Sequence, residues 1–339
     1  MDTLDTLWHR GTEFLGTRYA ILAGAMSWVS ERHLVAAISN AGGFGIIACS
    51  AMSPDLLREE IKATQTLTDK PFGVNLITMH PELEALVEVC RECHVSHVVL
   101  AGGLPKTETI RTIKSFAKVV CFAPAVVIAR KLVRAGADAL VIEGMEAGGH
   151  VGPVATSVLA QEILPFMQEH HPEIPVFVAG GIGRGEAIAA YLEMGAAGCQ
   201  LGTRFVCATE SIAHPAFKQA FIKASARDAT LSVQLDAEFP VIPVRALEND
   251  ATRSFLNAQQ EAIAAFRSGK LSKEEAQLQI EHFWAGALRR AVKDGDVAQG
   301  SLMAGQSVGM VTREQPMQEI IDELVTQARA YLARGHSAA

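Results

Sequence analysis

The sequence predicts an α/β protein: a TIM (β/α)8 barrel with a smaller, mainly helical lid domain inserted before the last helix. Eight short apolar runs alternate with amphipathic stretches over the first 210 residues, the order that a (β/α)8 barrel requires. The runs are apolar throughout rather than at alternate positions, which is typical of parallel strands covered on both faces. An open, doubly wound sheet is the structural alternative.

The eight runs are predicted strands because they are short, rich in β-branched residues and bounded by turn residues. Amphipathic segments between them predict helices over 54–66, 81–92, 125–135, 157–169 and 185–194. The predicted strands cover residues 19–23, 45–48, 72–76, 98–100, 119–122, 139–142, 176–179 and 198–201.

Three similar phrases mark the passage from a helix back to a strand. Residues 40–43, 134–138 and 193–197 each carry a glycine at the point where the helical pattern stops. Glycine there can adopt the left-handed conformation that ends a helix and turns the chain back.

The pattern changes after about residue 210. Residues 228–256 appear irregular and include Pro240 and Pro243, and helices are predicted over 258–268, 273–292 and 315–334 around a glycine-rich loop at 295–309. We therefore expect a barrel formed by 1–210 and 313–339, and a helical lid or substrate domain formed by 211–312.

Composition and charge argue against nucleic acid and membranes as partners. The 339 residues carry a formal charge of −7 and no cluster of lysine and arginine, so nucleic acid is not an expected partner. The first residues carry acids without an apolar segment, and no run reaches the roughly 18 apolar residues of a membrane span. We expect a cytoplasmic protein that does not bind membranes and whose six cysteines are reduced.

The strongest local motif is a pair of glycine turns after the last two predicted strands. Residues 178–185 read VAGGIGRG and residues 200–205 read QLGTRF. Glycine lets backbone N–H groups approach an anion, and the loops after strands seven and eight form the usual phosphate site of a TIM barrel. The alternative is that these glycines only make tight turns. A Rossmann site is not expected, since the motif lies late in the chain and the next strand ends in Gln200 rather than an acid.

Two polar residues follow other predicted strands. His150 lies in the glycine-rich loop 143–152 after strand six, where catalytic groups of barrels lie, and an imidazole can transfer protons near neutral pH. Asn75 ends strand three, and its neutral amide, facing the barrel mouth, could bond a ligand there. The structural alternatives are a histidine that caps its loop and an asparagine that closes a turn.

Two further motifs are interpreted as coincidental. Residues 90–94 read CRECH, the pattern of c-type haem attachment, but that chemistry needs export and the segment falls on an amphipathic helix. His170 and His171 lie before Pro172, on the side of the barrel away from the active loops, and are interpreted as part of a solvated turn.

Seven stretches, in order along residues 16–334, resemble one family of barrels. They are 23–29 (AGAMSWV), 41–45 (AGGFG), 67–75 (LTDKPFGVN), 143–152 (EGMEAGGHVG), 179–182 (AGGI), 202–205 (GTRF) and 300–306 (GSLMAGQ). Together they are similar to the nitronate monooxygenase / 2-nitropropane dioxygenase family of FMN barrels, which includes the FMN-dependent enoyl-acyl-carrier-protein reductase (type II).

The resemblance implies FMN as the cofactor and His150 as the catalytic residue, facing the flavin across the substrate site. One departure concerns the first motif, which usually reads Gly-Gly-Met and here has Ala25 as its second residue. The implied cofactor-binding residues are Gly24, Ala25 and Met26 along the flavin ring with Asn75 nearby, Gly180, Gly181, Gly202 and Thr203 at the phosphate, and Glu143, Gly149, Ala179 and Gln200 beside them.

Within the family, the loop 143–150 and the segments 213–215 and 285–297 look most similar to the enoyl reductase. That resemblance implies NADH or NADPH as the reductant and an acyl-thioester substrate, with His150 protonating or polarising the thioester side. The first alternative is a nitronate monooxygenase that oxidises small alkyl nitronates with O2. The second is a flavin-binding protein without turnover. A homodimer is the default expectation for a soluble enzyme.

Overall fold

The computed structural model describes residues 2–49, 52–236, 239 and 241–336. Eight parallel strands form the barrel, and all eight predicted strands are confirmed, with ends that shift by one or two residues. Beyond them lie three short strands outside the barrel. The barrel strands are β1 (Ile21–Ala23), β2 (Gly45–Ala48), β3 (Phe72–Ile77), β4 (His97–Ala101), β5 (Lys118–Phe122), β6 (Ala139–Glu143), β8 (Val176–Ala179) and β9 (Gly198–Leu201), and the others are β7 (Gly149–His150), β10 (Ala229–Leu231) and β11 (Val244–Leu247).

The barrel strands pair in the order β1-β9-β8-β6-β5-β4-β3-β2. The ring closes between β1 and β2, where Leu22 and Phe44 form a parallel bridge. Two hydrogen bonds make this closure, from Phe44 N–H to the Ile21 carbonyl at 2.8 Å and from Ala23 N–H to the Phe44 carbonyl at 2.9 Å. The closed ring confirms the predicted TIM barrel rather than an open sheet.

Helices surround the barrel and continue into the lid region, and each of the five predicted barrel helices is present. No helix in the described residues is long and apolar enough to cross a membrane. The helices are α1 (Thr3–Leu7), α2 (His9–Leu15), α3 (Arg32–Asn40), α4 (Pro54–Leu67), α5 (Leu83–Glu92), α6 (Thr107–Lys114), α7 (Val126–Ala135), α8 (Thr156–His170), α9 (Gly185–Glu193), α10 (Pro215–Lys223), α11 (Asp250–Arg267), α12 (Lys273–Arg289) and α13 (Met317–His336).

Local sequence explains where several helices stop. Gly136 ends α7 with a φ of 114°, and Gly42 and Gly195 follow α3 and α9 with φ values of 93° and 100°. A left-handed residue at this position satisfies the last carbonyls of a helix, and glycine adopts it without steric strain. The predicted glycine turns are therefore confirmed at all three places.

The main correction to the predicted fold concerns the segment 228–256, which was predicted to be irregular. Residues 228–256 contain β10, β11 and the start of α11, and β11 pairs antiparallel with both β10 and β7. Helix α11 begins at Asp250, earlier than predicted, because the Asn249 side chain accepts a hydrogen bond from Thr252 N–H and caps the helix. The predicted helical region thus also holds a small sheet.

The lid region has a small apolar core of its own. Phe255 of α11 packs against Trp284 of α12 with ring centroids 4.3 Å apart, and Val244 of β11 belongs to the same buried cluster. Met303 packs against this cluster and also against the main core, so it joins the two. The boundaries of the lid domain at 211 and 312 stay a prediction.

The cysteines of the CRECH motif at residues 90–94, interpreted above as coincidental, lie in the barrel wall. Cys90 and Cys93 are buried free thiols at the end of α5, and the described residues include no group of histidine, cysteine or acidic side chains arranged to hold a metal. All six cysteines are buried and unpaired, as expected for reduced thiols. Burial raises the pKa of the Cys49 thiol to about 12, which leaves it protonated at neutral pH.

Replacing Phe44 with alanine tests how much its buried ring, beside the closure of the barrel, contributes to stability. The Phe44 ring is 1% exposed and contacts the His97 ring at a centroid distance of 4.8 Å. We expect Phe44→Ala to lower the free energy of unfolding by about 3–5 kcal/mol, since the ring leaves a cavity. Urea unfolding followed by circular dichroism measures this. Met79→Ala, at a residue that is 66% exposed, is the control, and equal losses in the two variants would contradict the expectation.

Candidate active site

The two glycine turns lie side by side at the carboxyl end of the barrel. Strands β8 and β9 are parallel neighbours, with Ala179 opposite Gln200. Gly180 and Gly181 follow β8, with φ values of 101° and 71°, and Gly202 follows β9. The register therefore brings together the residues that were predicted to bind one anion.

Backbone donors in these turns are available to a ligand. The N–H groups of Gly181, Gly202 and Thr203 have no acceptor within the described part of the chain. Gly181 and Gly202 are partly exposed, whereas Thr203 is buried, and its hydroxyl accepts a hydrogen bond from Gly305 N–H at 2.9 Å. Unpaired amides at the edge of a sheet, beside the amino end of α9, form a site for an anion.

Close packing explains why glycine occupies the first turn. A Cβ on Gly180 would lie 2.8 Å from the Thr156 hydroxyl and 2.9 Å from the Gly144 carbonyl oxygen, and one on Gly181 would lie 3.0 Å from Cβ of Glu146. Both glycines also have positive φ values, which other residues rarely adopt. Glycine is therefore required in this turn for two reasons: the backbone has positive φ values, and the neighbouring loop leaves no room for a Cβ.

The turn after β1 borders the second glycine turn. A Cβ on Gly24 would lie 3.2 Å from Cα of Gly202, and the sulfur of Met26 lies 3.5 Å from the Cβ position of Gly202. Ser30 fixes this turn, since its hydroxyl accepts from Met26 N–H at 3.0 Å and donates to the Gly24 carbonyl at 3.1 Å. Ala25 is half-buried in the same turn.

Two buried amide side chains line the barrel mouth, the opening at the carboxyl ends of the barrel strands. Asn75 is 4% exposed and donates from Nδ2 to the Val99 carbonyl at 3.3 Å, which leaves its Oδ1 without a donor among the described residues. Gln200 is 6% exposed and its side chain has no partner there. These unpaired amide atoms are not among the fully buried ones, so both side chains are suited to bond a ligand that enters the mouth.

Glu143 ends β6 opposite Ala179 of β8. The side chain is half-buried and has no hydrogen bond or ion pair in the described residues. Burial without a compensating cation disfavours the charged carboxylate and raises the pKa of Glu143 to about 8. The group is therefore mostly a neutral acid at pH 7 and can donate a hydrogen bond into the mouth.

His150 lies at the end of the loop that follows β6. Its strand β7 pairs with β11, with His150 opposite Val244 and Gly149 opposite Arg245, and Val151 N–H donates to the Pro243 carbonyl at 3.0 Å. The residue is exposed. The catalytic role of His150 and the orientation of its imidazole toward a cofactor stay predictions.

Three residues that the sequence analysis did not select hold this loop in place. The Glu146 carboxylate accepts from the Thr156 N–H at 2.9 Å. The single proton of the Thr156 hydroxyl can go to either of two acceptors, the Glu146 carboxylate at 2.8 Å or the Gly180 carbonyl at 3.1 Å. Arg245 is 4% exposed and donates from Nε to the Met145 carbonyl at 2.9 Å. The loop after β6, which carries His150, is therefore tied both to the first glycine turn and to β11 of the lid region.

The residues present fit an anionic cofactor such as FMN. Arg204, next to Thr203, is 2% exposed, and its Nε and Nη1 atoms are buried without a partner in the described residues. Arg204 is also paired with Glu323 at 2.9 Å, so the free backbone amides are the donors that remain available to an anion. The molecule is thus a TIM barrel with a candidate anion site after β8 and β9.

Comparisons agree with this class. Residues 9–327 match the family model described as nitronate monooxygenase. A dehydrogenase of Rhodococcus jostii, named for (3aS,4S,5R,7aS)-5-hydroxy-7a-methyl-1-oxo-octahydro-1H-indene-4-carboxyl-CoA, is 31% identical over 94% of each chain. A nitronate monooxygenase of Paraburkholderia phytofirmans is 28% identical over 91% of this chain and 92% of its own.

Solved structures of proteins related to this family have the same fold. FabK from Thermotoga maritima superposes with a TM-score of 0.85 and 37% identity, over 97% of this chain and 99% of that one. The nitroalkane oxidase of Streptomyces ansochromogenes superposes with a TM-score of 0.76 and 27% identity, over 95% and 99%. The chain belongs to the nitronate monooxygenase family and is an oxidoreductase, and its family supports a flavin cofactor.

Glu143 is expected to make the stability of the apoprotein depend on pH, which can be measured without flavin. The unfolded carboxyl titrates near about 4.3, whereas the folded group titrates at about 8. Between these values the folded protein keeps a proton that the unfolded chain has lost, so this group lowers stability as pH rises through that window. We expect Glu143→Gln to melt at nearly the same temperature as the wild type at pH 5 and several degrees higher at pH 8.

Differential scanning fluorimetry of the apoprotein at both pH values measures this difference. Glu108→Gln, at an exposed residue of α6, controls for the loss of one negative charge. An equal gain from Glu143→Gln at pH 5 and pH 8 would show that Glu143 is already ionised in the folded protein.

Proposed function

We propose that this protein is an FMN-dependent oxidoreductase that reduces the carbon–carbon double bond of an enoyl thioester with NADH or NADPH. The observation that carries this proposal is the likeness to FabK, an enoyl-acyl-carrier-protein reductase, which extends over 97% of this chain and therefore includes the lid. Curated relatives named as dehydrogenases of a carboxyl-CoA are 31% and 32% identical to this chain and favour a thioester as the substrate class.

FMN would lie across the carboxyl end of the barrel. Its phosphate would bind the N–H groups of Gly181, Gly202 and Thr203, and its ring system would lie beside Met26, Gly24 and Ala25. Asn75, Glu143 and Gln200 have free polar atoms for its polar edges. When bound, the flavin supplies hydride transfer from a reduced nicotinamide to the β-carbon of the substrate.

The protein would supply position and a proton. In the net reaction the enoyl thioester gains a hydride at its β-carbon and a proton at its α-carbon, and NAD(P)H becomes NAD(P)+. His150 is the proposed donor of that proton or of a hydrogen bond to the thioester carbonyl, since an imidazole can do either near neutral pH. Glu146 and Arg245 hold the loop on which His150 lies.

The lid would bind the acyl part of the substrate. Its buried cluster of Phe255, Ile280 and Trp284 is joined to the barrel core through Met303, and β11 of the lid pairs with β7 beside His150. An acyl chain that enters between lid and barrel would gain free energy from burial of its methylene groups. A small nitronate would gain much less from this surface.

Oxidation of alkyl nitronates with O2 is the second candidate. The match of residues 9–327 to the nitronate monooxygenase model and the 28% identity to the Paraburkholderia enzyme favour it. The same flavin site would serve, and His150 would orient the nitronate anion or act as a base.

A paired assay separates the two candidates. We expect the purified protein to release FMN on denaturation, and NADH or NADPH to bleach the bound flavin. Crotonyl-CoA should then restore its absorbance without oxygen, because the enoyl group accepts the hydride. Turnover only with propyl nitronate, accompanied by oxygen uptake, would replace this proposal with the second one. A bound flavin with no turnover on either substrate would leave a flavin-binding protein.

Substitution of His150 tests its role. We expect His150→Ala to retain FMN and to be reduced by NAD(P)H, but to lose about 100-fold or more in kcat with the enoyl substrate, the usual contribution of a positioned general acid. Anaerobic stopped-flow kinetics separates the two half-reactions. His9→Ala, an exposed histidine on α2, is the control. An unchanged rate of flavin reoxidation in His150→Ala would remove His150 from the mechanism.

A further inference from the structure

Helix α13 is linked by hydrogen bonds to a residue of each glycine turn of the proposed phosphate site, Gly185 in the first and Arg204 in the second. Glu323 takes part in both links, because its two oxygens accept from Arg204 and from Gln327. The inference that follows rests on the proposed function, because it concerns how the protein would bind FMN.

The first connection runs to the turn after β9. Arg204 Nη2 donates to Glu323 Oε2 at 2.9 Å and to Gln315 Oε1 at 3.3 Å. Arg204 is buried, and its other two donor atoms, Nε and Nη1, have no acceptor in the described residues. Glu323 is 42% exposed on its side chain, so water weakens its compensation of the buried cation. This ion pair lies one residue away from Thr203.

The second connection runs to the turn after β8. Glu323 Oε1 accepts from Gln327 Nε2 at 3.0 Å, and Gln327 Oε1 accepts from Gly185 N–H at 2.8 Å. Gly185 is the first residue of α9, the helix that leaves this turn. A Cβ there would lie 1.9 Å from the Leu324 carbonyl oxygen, so α13 lies directly against the amino end of α9.

Both connections meet at a single side chain. A carboxylate accepts at two oxygens with a fixed spacing, so it can hold two donors at a set distance from each other. We propose that Glu323, with Gln327 and Arg204, is a positioning group that fixes the two glycine turns for a phosphate and thereby selects FMN over riboflavin. In the proposed placement the ring system would lie along Gly24, Ala25 and Met26, so it would not take part in this selection.

Affinities for two flavins test the proposal. Apoprotein is titrated with FMN and with riboflavin, which lacks the phosphate, and quenching of flavin fluorescence gives both Kd values. Glu323→Gln places an amide donor against Arg204 or Gln327, and Gln327→Leu removes the bond to Gly185 without changing charge. We expect each variant to bind FMN about tenfold more weakly, a loss of about 1.4 kcal/mol, and riboflavin within about twofold of the wild type.

Asp322→Asn is the matched control. It removes one negative charge at the neighbouring position of α13, where Asp322 is exposed and bonded only to Gln318 among the described residues, so the ratio of the two Kd values should not change. Equal weakening of both flavins in Glu323→Gln and Gln327→Leu, or no weakening of either, would overturn the positioning role. A wild-type protein that binds neither flavin would instead overturn the proposed function, and this inference with it.

Discussion

The parallel pairing of β8 with β9 is the constraint on which the site depends. With Ala179 opposite Gln200, both strands end at the same level and their turns leave the sheet next to each other. Neither turn alone offers enough unpaired N–H groups to enclose an anion. Together they present donors from Gly181, Gly202 and Thr203, which is why a single register decides whether the molecule can hold a phosphate.

Packing around these turns explains their composition. The loop after β6 and the start of α8 lie so close to Gly180 and Gly181 that a side chain at either position would collide with Thr156 or Glu146. The same contacts tie the loop after β6 to the first glycine turn, because the Thr156 N–H bonds Glu146 and its hydroxyl lies within hydrogen-bond distance of the Gly180 carbonyl. The loop that carries His150 and the turn that would bind a phosphate are therefore joined at the barrel mouth.

The barrel strands and the two glycine turns could be predicted from the sequence, because the patterns that indicate them are local. A barrel strand is a short apolar run, and a glycine turn is visible in adjacent letters, so the eight strands and the pair of turns were predicted together with the residues at their ends. The capping of α11 by Asn249 and Thr252 is also local. It was missed because two nearby prolines made the segment look irregular.

Other features depend on partners that are distant in sequence. Arg204 and Glu323 are separated by 119 positions, and Arg245 and Met145 by 100. No periodicity or motif links such residues, and a buried arginine between apolar neighbours resembles any other strand residue. The pairing of β7 with β11 was missed for the same reason, since a two-residue strand in a glycine-rich loop has no alternation to detect.

That pairing has a mechanical consequence. The backbone of His150 is part of the same hydrogen-bonded ladder as Val244, a residue of the lid core. A displacement of β11 would therefore be transmitted to the backbone of His150 through these paired residues. For the acyl substrate proposed above, the length and shape of the hydrocarbon portion would then affect the rate of reaction at the thioester end as well as the affinity.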